Sequence, residues 1–197
     1  MFGSVDELWE LYNQEGGAEV LGDTSDQEAE RIIRVLVHEQ REGKENWCMG
    51  ILEYVRPALH DFIASWTGGD YEDIRHAQES GDMPKQLEEL ISNFFEAVHL
   101  LPMILDEFVH YSKDVGWAKR YQVGDTFTLH SFMGCAAKGS KFVHASIPRI
   151  FFLPSQQARY LGALTTTPPE REVLIMPGAI FKVLHVEGGA IYVGDNL

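Results

Sequence analysis

The sequence predicts an α+β fold in which an amino-terminal helical lobe (residues 1–102) packs on a β-rich lobe (residues 103–197). In the first part of the chain, apolar residues recur at three- and four-residue steps, as on one face of a helix. After Pro102 they fall in short extended runs separated by turn signals. Neither a repeat nor a linker separates the halves. We therefore expect the 197 residues to form one compact unit whose two lobes share a cleft.

The first helices are predicted from their starting signals. Ser4 with Glu7, and Ser25 with Glu28, have the spacing of a capping box, in which the hydroxyl accepts the amide hydrogen three residues on. An apolar stripe follows each signal, as expected for a helix with one buried face. The stripes are Leu8, Leu11 and Tyr12, and then Ile32, Ile33, Leu36 and Val37.

Two longer helical segments complete the first lobe. The segment from Trp47 to Trp66 carries a continuous apolar face, and Pro57 is expected to kink it because proline lacks the amide hydrogen and crowds the preceding turn. A further helix begins near Pro84, a good first-turn residue, and ends at Pro102.

Short runs of branched and aromatic residues predict strands in the second half of the chain. Glycine-containing turns, such as Pro177-Gly178 and Gly188-Gly189, separate several of them. The predicted strands are Phe108–Tyr111, Thr126–Phe132, Ile147–Leu153, Val173–Met176, Ile180–Val186 and Ala190–Val193.

The distribution of charge limits the classes of function. Residues 1–100 hold 22 acidic and 7 basic side chains (7 − 22 = −15), whereas residues 101–197 hold 8 and 9 (9 − 8 = +1). The first half would repel a nucleic-acid backbone, so binding to a polyanion is not indicated. A short basic cluster in the second half would serve a phosphate-bearing small ligand, or else consists of scattered solvated side chains. Its members are Lys113, Lys119, Arg120, Lys138 and Lys141.

Cysteine content and hydropathy give further expectations. Cys48 and Cys135 do not form a disulfide framework, so we expect reduced thiols, with a single bridge as the alternative. The first residues carry no basic region, and no long uninterrupted apolar stretch occurs. We therefore expect a soluble chain without a classical signal peptide or a membrane span. The eight histidines show no metal-ligand spacing with the cysteines, so no metal site is predicted.

Two acidic residues mark the most informative stretch of the sequence. Glu170 and Glu172 stand two positions apart where a proline-containing loop enters the apolar run Val173–Met176. Side chains alternate along an extended chain, so the two carboxylates are predicted to project into one space. The alternative is a solvated strand edge without chemistry.

These residues carry a resemblance to a known family. Residues 170–175 (Glu-Arg-Glu-Val-Leu-Ile), with Pro177-Gly178 and Phe181 after them, resemble the carboxyl-terminal signature of the arginine-type ADP-ribosyltransferases, which include many bacterial toxins. Residues 121–129 resemble the family's turn and second strand, and residues 149–153 the strand before its target-recognition loop. The similarity in order and spacing runs from about Ile51 to Val193.

The resemblance implies an ADP-ribosyltransferase-like fold whose β-rich lobe is mainly antiparallel and contains two sheets. It implies NAD as the substrate, with Glu172 bonding the ribose 2′-hydroxyl and stabilising the cation that forms when nicotinamide leaves. Glu170 would orient or deprotonate the acceptor. The segment from Tyr160 to Pro169 would be the target-recognition loop.

Two motif positions of the family hold other residues here. The first-strand arginine is replaced within Phe108–Tyr111, so His110 is the first candidate for its place and Tyr111 the second; a histidine half-buried at a strand end is the alternative. The serine motif after Phe132 reads Met-Gly-Cys-Ala, and Ser131 could substitute for it only if the strand shifts. By the same resemblance, Phe132 and Ser131 border the nucleotide and Phe142 covers the nicotinamide, unless it is an ordinary core residue.

Two hypotheses of function follow from this resemblance. The first is a mono-ADP-ribosyltransferase toxin or effector that transfers ADP-ribose from NAD to a macromolecular acceptor, protein or alternatively RNA. Such a chain would be delivered by a specialised secretion system into the cytoplasm of a target cell, and an immunity or chaperone protein is an implied partner. The second is a catalytically degenerate member of the family, whose acidic helical surface binds a basic protein.

Overall fold

The computed structural model divides the chain into two compact units. A helical unit comprises residues 1–102 and 161–168, and a β unit comprises residues 103–160 and 169–197. Residues 161–168, which the sequence analysis assigned to the β-rich lobe, thus group with the helices. The structure describes residues 4–14, 24–38, 45–112, 116–141 and 147–196.

The helical unit is formed largely as its sequence signals predict. Both predicted capping hydroxyls act as such, because Ser4 Oγ accepts from the Glu7 amide at 3.2 Å and Ser25 Oγ accepts from the Glu28 amide at 3.4 Å. The helices are α1 (Val5–Asn13), α2 (Asp26–His38), α3 (Glu45–Val55), α4 (Pro57–Ser65), α5 (Tyr71–Ser80), α6 (Lys85–Ala97) and, in the β unit, α7 (Trp117–Arg120).

Two features of the helical unit differ from expectation. The segment from Trp47 to Trp66 is two helices instead of one kinked helix, since α3 ends at Val55 and α4 restarts at Pro57. Helix α5 was not predicted, because its sequence is polar and offers only a short apolar stripe. It ends at Gly81, whose φ of 76° is a backbone conformation that glycine adopts without strain.

The β unit contains one sheet of nine strands in the order β1-β6-β7-β4-β2-β5-β9-β8-β3. Among the described residues, β5–β9 is the one parallel pairing, so the sheet is mainly antiparallel as expected. The strands are β1 (Met103–Ile104), β2 (Phe108–Ser112), β3 (Thr126–Thr128), β4 (Met133–Ala137), β5 (Ile147–Phe152), β6 (Ser155–Tyr160), β7 (Glu172–Ile175), β8 (Ile180–Glu187) and β9 (Ala190–Asp195).

The expected division into two sheets is wrong in terms of hydrogen bonding. Strand β2 pairs with β4 on one side and with β5 on the other, and thereby joins all the strands. Strands β1, β4 and β6 were not predicted. Strand β4 is rich in small residues, and β6 is polar; their pairing partners, rather than their own sequences, make them strands.

One face of the sheet forms the core of the β unit. The side chains of Phe108, Phe152 and Phe181 lie on this face, with ring centres 4.9 Å apart for each successive pair. Val173 and Ile191 lie on the same face and are fully buried. We call this the core face, and by strand alternation every second residue belongs to the opposite face.

Candidate active site

A row of side chains crosses the sheet on the face opposite the core. Glu172 on β7 pairs with Ala136 on β4, and Ala136 pairs in turn with Val109 on β2. The row continues through Phe151 on β5 to Tyr192 on β9. Directly paired residues in neighbouring strands project to the same side, so these five residues define one surface, which we call the Glu172 face.

The Glu172 face combines one carboxylate with apolar and aromatic groups. Glu172, Val109, Phe151 and Tyr192 are half-buried, whereas Ala136 is buried. The rings of Phe151 and Tyr192 are stacked, with centres 4.7 Å apart and planes 10° apart. Sequence analysis did not identify these two aromatic residues, since only the pairing register places them in line with Glu172. A carboxylate beside flat apolar groups can bind a sugar hydroxyl next to an aromatic base.

The charge of Glu172 on β7 acts on the thiol of Cys135 on the neighbouring strand β4. Cys135 lies on the core face beside Ala136, and burial raises the pKa of its thiol well above the ordinary value of 9.0, with the nearby Glu172 carboxylate as the second cause. The thiol therefore stays neutral near pH 7. A neutral buried thiol is a poor nucleophile, so Cys135 is a core residue.

Glu170 is not part of β7, although the sequence predicted that it shares an extended segment with Glu172. It ends a 3₁₀ turn (Pro168–Glu170), and Arg171 between the two acids has a φ of 51°, in the left-handed region. Side-chain alternation along β7 therefore starts at Glu172 and does not include Glu170. Contrary to the prediction, strand alternation does not place the two carboxylates on one side of the chain. Glu170 is half-buried beside this corner.

Arg171 is held at the corner by its backbone and by a ring. Its carbonyl accepts a hydrogen bond from the Ala137 amide at 3.0 Å, and its guanidinium carbon lies 5.8 Å from the ring centre of Tyr160. In the described part of the chain, no ion pair links Arg171 to a carboxylate, including the two that flank it.

The two candidates for the missing arginine occupy different positions. His110 Nδ1 lies 2.9 Å from the Gly134 carbonyl oxygen, which can only accept, so this nitrogen carries the hydrogen. His110 pairs with Ile150 and belongs by alternation to the core face. Tyr111, one residue on, belongs by alternation to the Glu172 face, and both residues are half-buried. Strand register thus separates His110 from Glu172 and places Tyr111 on the Glu172 face.

The remaining candidates have contrasting positions. Ser131 and Phe132 precede β4 and are buried, with Phe132 fully buried. Phe142 and Lys113 lie outside the described residues. The other members of the basic cluster, Lys119, Arg120, Lys138 and Lys141, are exposed.

The segment assigned to target recognition is mostly buried. Leu161, Leu164 and Thr165 are no more than 2 % exposed. Thr166 is hydrogen-bonded to Thr67, in the turn that follows α4 in the helical unit: its amide donates to Thr67 Oγ1 at 3.1 Å, and its hydroxyl donates to the Thr67 carbonyl at 2.7 Å. Within the segment predicted as the target-recognition loop, only Thr166, Thr167 and Pro169 are exposed.

Comparisons with solved structures identify the fold. The Vis toxin, an ADP-ribosyltransferase from Vibrio splendidus, superposes with a TM-score of 0.52 at 14% identity, over 99% of this chain and 86% of that one. The type III effector XopAI from Xanthomonas axonopodis pv. citri gives 0.56 at 19% identity, over 100% and 95%. C3stau2 from S. aureus, solved with NAD, gives 0.52 at 11% identity, over 87% and 95%.

These similarities define the class of protein by its fold. The chain has the ADP-ribosyltransferase fold, as its sequence motifs predicted. No sequence-family model matches the chain, and no curated protein matches it in sequence. No helix in the described ranges is both long and apolar enough to cross a membrane.

Proposed function

We propose that the protein is a mono-ADP-ribosyltransferase toxin or effector that transfers ADP-ribose from NAD to a macromolecular acceptor. The observation that carries the proposal is the position of Glu172, which heads an internal strand of this fold on a half-buried face with Val109 and Phe151. The structural neighbours are described as an ADP-ribosyltransferase toxin, a type III effector and an NAD complex, and these descriptions support the same reaction class.

The proposed chemistry breaks the glycosidic bond between nicotinamide and ribose. Nicotinamide leaves as a neutral molecule with the bonding electron pair, and the ribose passes through an oxocarbenium-like state. The Glu172 carboxylate accepts a hydrogen bond from the ribose 2′-hydroxyl and stabilises the developing positive charge. A nucleophilic atom of the acceptor then bonds to the ribose carbon and loses its proton, for which Glu170 is the proposed base.

Release of nicotinamide tests this proposal. We expect the purified protein to release nicotinamide slowly from NAD, and Glu172→Gln to lower the rate about 100-fold or more, because the charge that stabilises the transition state is removed. Glu187→Gln is a matched control, since Glu187 is an exposed carboxylate at the end of β8. Glu170→Gln should retain release while losing transfer to an acceptor. Equal background rates in the wild type and Glu172→Gln would contradict the proposal.

A second function is favoured by two positions in the row. Ala136, which pairs with Glu172, lies in the stretch that replaces the family's serine motif, and Val109, which pairs with Ala136, lies in the stretch that lacks the family's arginine. Neither side chain can form a hydrogen bond. A degenerate, non-enzymatic binding protein would have this composition, with its acidic helical unit as the docking surface for a basic protein. Binding of a basic partner that is unaffected by Glu172→Gln, together with absence of nicotinamide release, would favour this function.

The acceptor and the delivery route are further parts of the proposal. The acceptor is proposed to be a protein, with RNA as the alternative, and the chain is proposed to reach the cytoplasm of a target cell through a specialised secretion system. The effector description of one structural neighbour supports delivery. The immunity or chaperone partner rests on the family resemblance alone.

A further inference from the structure

Arg149 on β5 is a buried cation without a neutralising group. Only 6% of the surface of this residue is exposed to solvent. One guanidinium nitrogen, Nη1, donates to the Gly189 carbonyl at 3.1 Å, while Nε is buried without a hydrogen-bond partner. In the part of the chain that the structure describes, no carboxylate is paired with it. A buried charge is costly to leave uncompensated, so this guanidinium is suited to bind an anion.

The arginines of the helical unit show the contrast. Each described arginine there forms an ion pair with a carboxylate, even though all of them are more exposed than Arg149. The pairs are Arg31–Glu28, Arg34–Glu30, Arg56–Asp26 and Arg75–Glu79. The sequence is rich in carboxylates, and yet the most buried guanidinium among the described residues donates only to a neutral carbonyl.

The position of Arg149 connects it to the candidate active site. It is the additional residue of a β-bulge, because His110 pairs with Ile150 whereas Tyr111 pairs with Pro148. Its neighbour Pro148 pairs with Tyr111 of the Glu172 face, whereas Ile150 pairs with His110 of the core face, so Arg149 lies where β5 passes between the two faces, next to Tyr111. Strand β5 lies next to β2, about 5 Å away, so Arg149 stands beside the stretch where the family resemblance expects an arginine.

We propose that Arg149 is the phosphate-binding arginine of the dinucleotide site, supplied from β5 in place of the arginine absent from β2. This inference rests on the proposed function, because it assigns the pyrophosphate of NAD to this guanidinium. The forked N–H donors of a guanidinium match two phosphate oxygens at once, and the imidazole of His110 has no such paired donors. Gly189 allows the turn to close on the guanidinium, since a Cβ there would lie 3.2 Å from Nη1.

Calorimetric titration with ADP-ribose tests the inference, since this ligand carries the pyrophosphate and cannot release nicotinamide. We expect the wild type to bind ADP-ribose and Arg149→Met to bind it about 10- to 100-fold more weakly, as for the loss of hydrogen bonds to a charged group. Arg149→Lys, which keeps the charge without the fork, should be intermediate. Arg159→Met is the matched control, because Arg159 donates to the carbonyls of Gln156 and Ala158 on its own strand.

The outcomes separate this inference from the proposed function. Equal affinity of the wild type and a folded Arg149→Met would overturn the role of Arg149, even where the wild type releases nicotinamide. ADP-ribose binding that depends on Arg149 without nicotinamide release would support the anion site and overturn the transferase. Absence of ADP-ribose binding by the wild type would overturn both.

A second measurement covers the case in which Arg149→Met does not fold, for instance because the contact with Gly189 stabilises the turn. The Nε–H resonance of Arg149 in the wild type, assigned by comparison with Arg149→Lys, should shift on addition of ADP-ribose. An unchanged resonance at saturating ADP-ribose would contradict the inference.

Discussion

At the scale of single residues, Arg171 determines how the chain enters the candidate site. Its φ of 51° is uncommon for a residue with a side chain, and the left-handed conformation costs about 1–2 kcal/mol. Strained backbone of this kind is concentrated at functional sites, where the surrounding structure enforces it. Here the enforcing contacts are hydrogen bonds from the Ala137 amide to the Arg171 carbonyl and from the Lys141 amide to the Pro169 carbonyl. The corner fixes the first residue of β7, which is Glu172.

Substitutions at position 171 should therefore depend on backbone preference more than on charge. We expect Arg171→Val to lower the free energy of unfolding by about 2 kcal/mol, because a β-branched residue is strongly disfavoured in the left-handed region. Arg171→Gly should change it by less than about 1 kcal/mol, since relief of strain offsets the lost contact with Tyr160. Urea unfolding of the two variants measures the difference. Equal destabilisation would show that the corner does not require a left-handed residue.

At the scale of elements, prediction succeeded where a local pattern is strong. The capping signals of α1 and α2, the prolines that delimit α4 and α6, and the branched runs of β8 and β9 were identified because their patterns act over a few residues. Strand β4 was missed because Gly134 to Ala137 show no alternation of apolar and polar residues. It is a strand because β2 and β7 pair with it on both sides.

The candidate site was predictable only in part for the same reason. Glu172 was found from its motif. Phe151 was not found, because its alignment with Glu172 depends on pairing across three strand boundaries, which is a non-local property. The role proposed for Arg149 depends likewise on a bulge in β5. An arginine within the apolar run of β5 was the signal available in the sequence.

Strand β6 is fastened to the end of β9 by a polar network that should be important for stability. Asp195 accepts from the Ser155 hydroxyl at 2.6 Å, from the Gln156 amide at 2.9 Å and from Gln157 Nε2 at 3.1 Å. We expect Asp195→Ala to lower the free energy of unfolding by about 2–3 kcal/mol, because Ser155 is buried and these donors lose a charged acceptor. Thermal or urea unfolding measures this.

The control for the Asp195 network is Glu187→Ala, which removes an exposed carboxylate and should change the free energy of unfolding by about 0.5 kcal/mol or less. A small effect of Asp195→Ala, similar to that of the control, would mean that water replaces the carboxylate at no cost. The network would then not hold β6 in place.

At the scale of the whole molecule, the two units are joined by more than one connection. The chain crosses between them after residue 102, after residue 160 and after residue 168. The segment of residues 161–168 is buried among the helices, while the strands on either side of it belong to the sheet. Withdrawing this segment during unfolding of the sheet would expose apolar side chains such as Leu161 and Leu164. We therefore expect the two units to unfold together.

The two cysteines report on this cooperativity, one in each unit. Cys48 and Cys135 are both buried and neither is in a disulfide, so neither should react with iodoacetamide in the folded protein at pH 8. As urea is raised, both should become labelled at the same midpoint, as read by mass spectrometry of the peptides. Labelling of Cys135 at a clearly lower urea concentration than Cys48 would show that the sheet opens independently.

The internal position of β7 restricts how the length of this region can vary. Strands β4 and β6 hold β7 on both sides, so one amino acid added after Glu172 would move each later side chain of the strand to the other surface. Val173 and Ile175 would then exchange places with Leu174, and the acid would lose its alignment with Ala136. Insertions and deletions should consequently be better tolerated upstream of the acid, at the exposed residues Thr167 and Pro169.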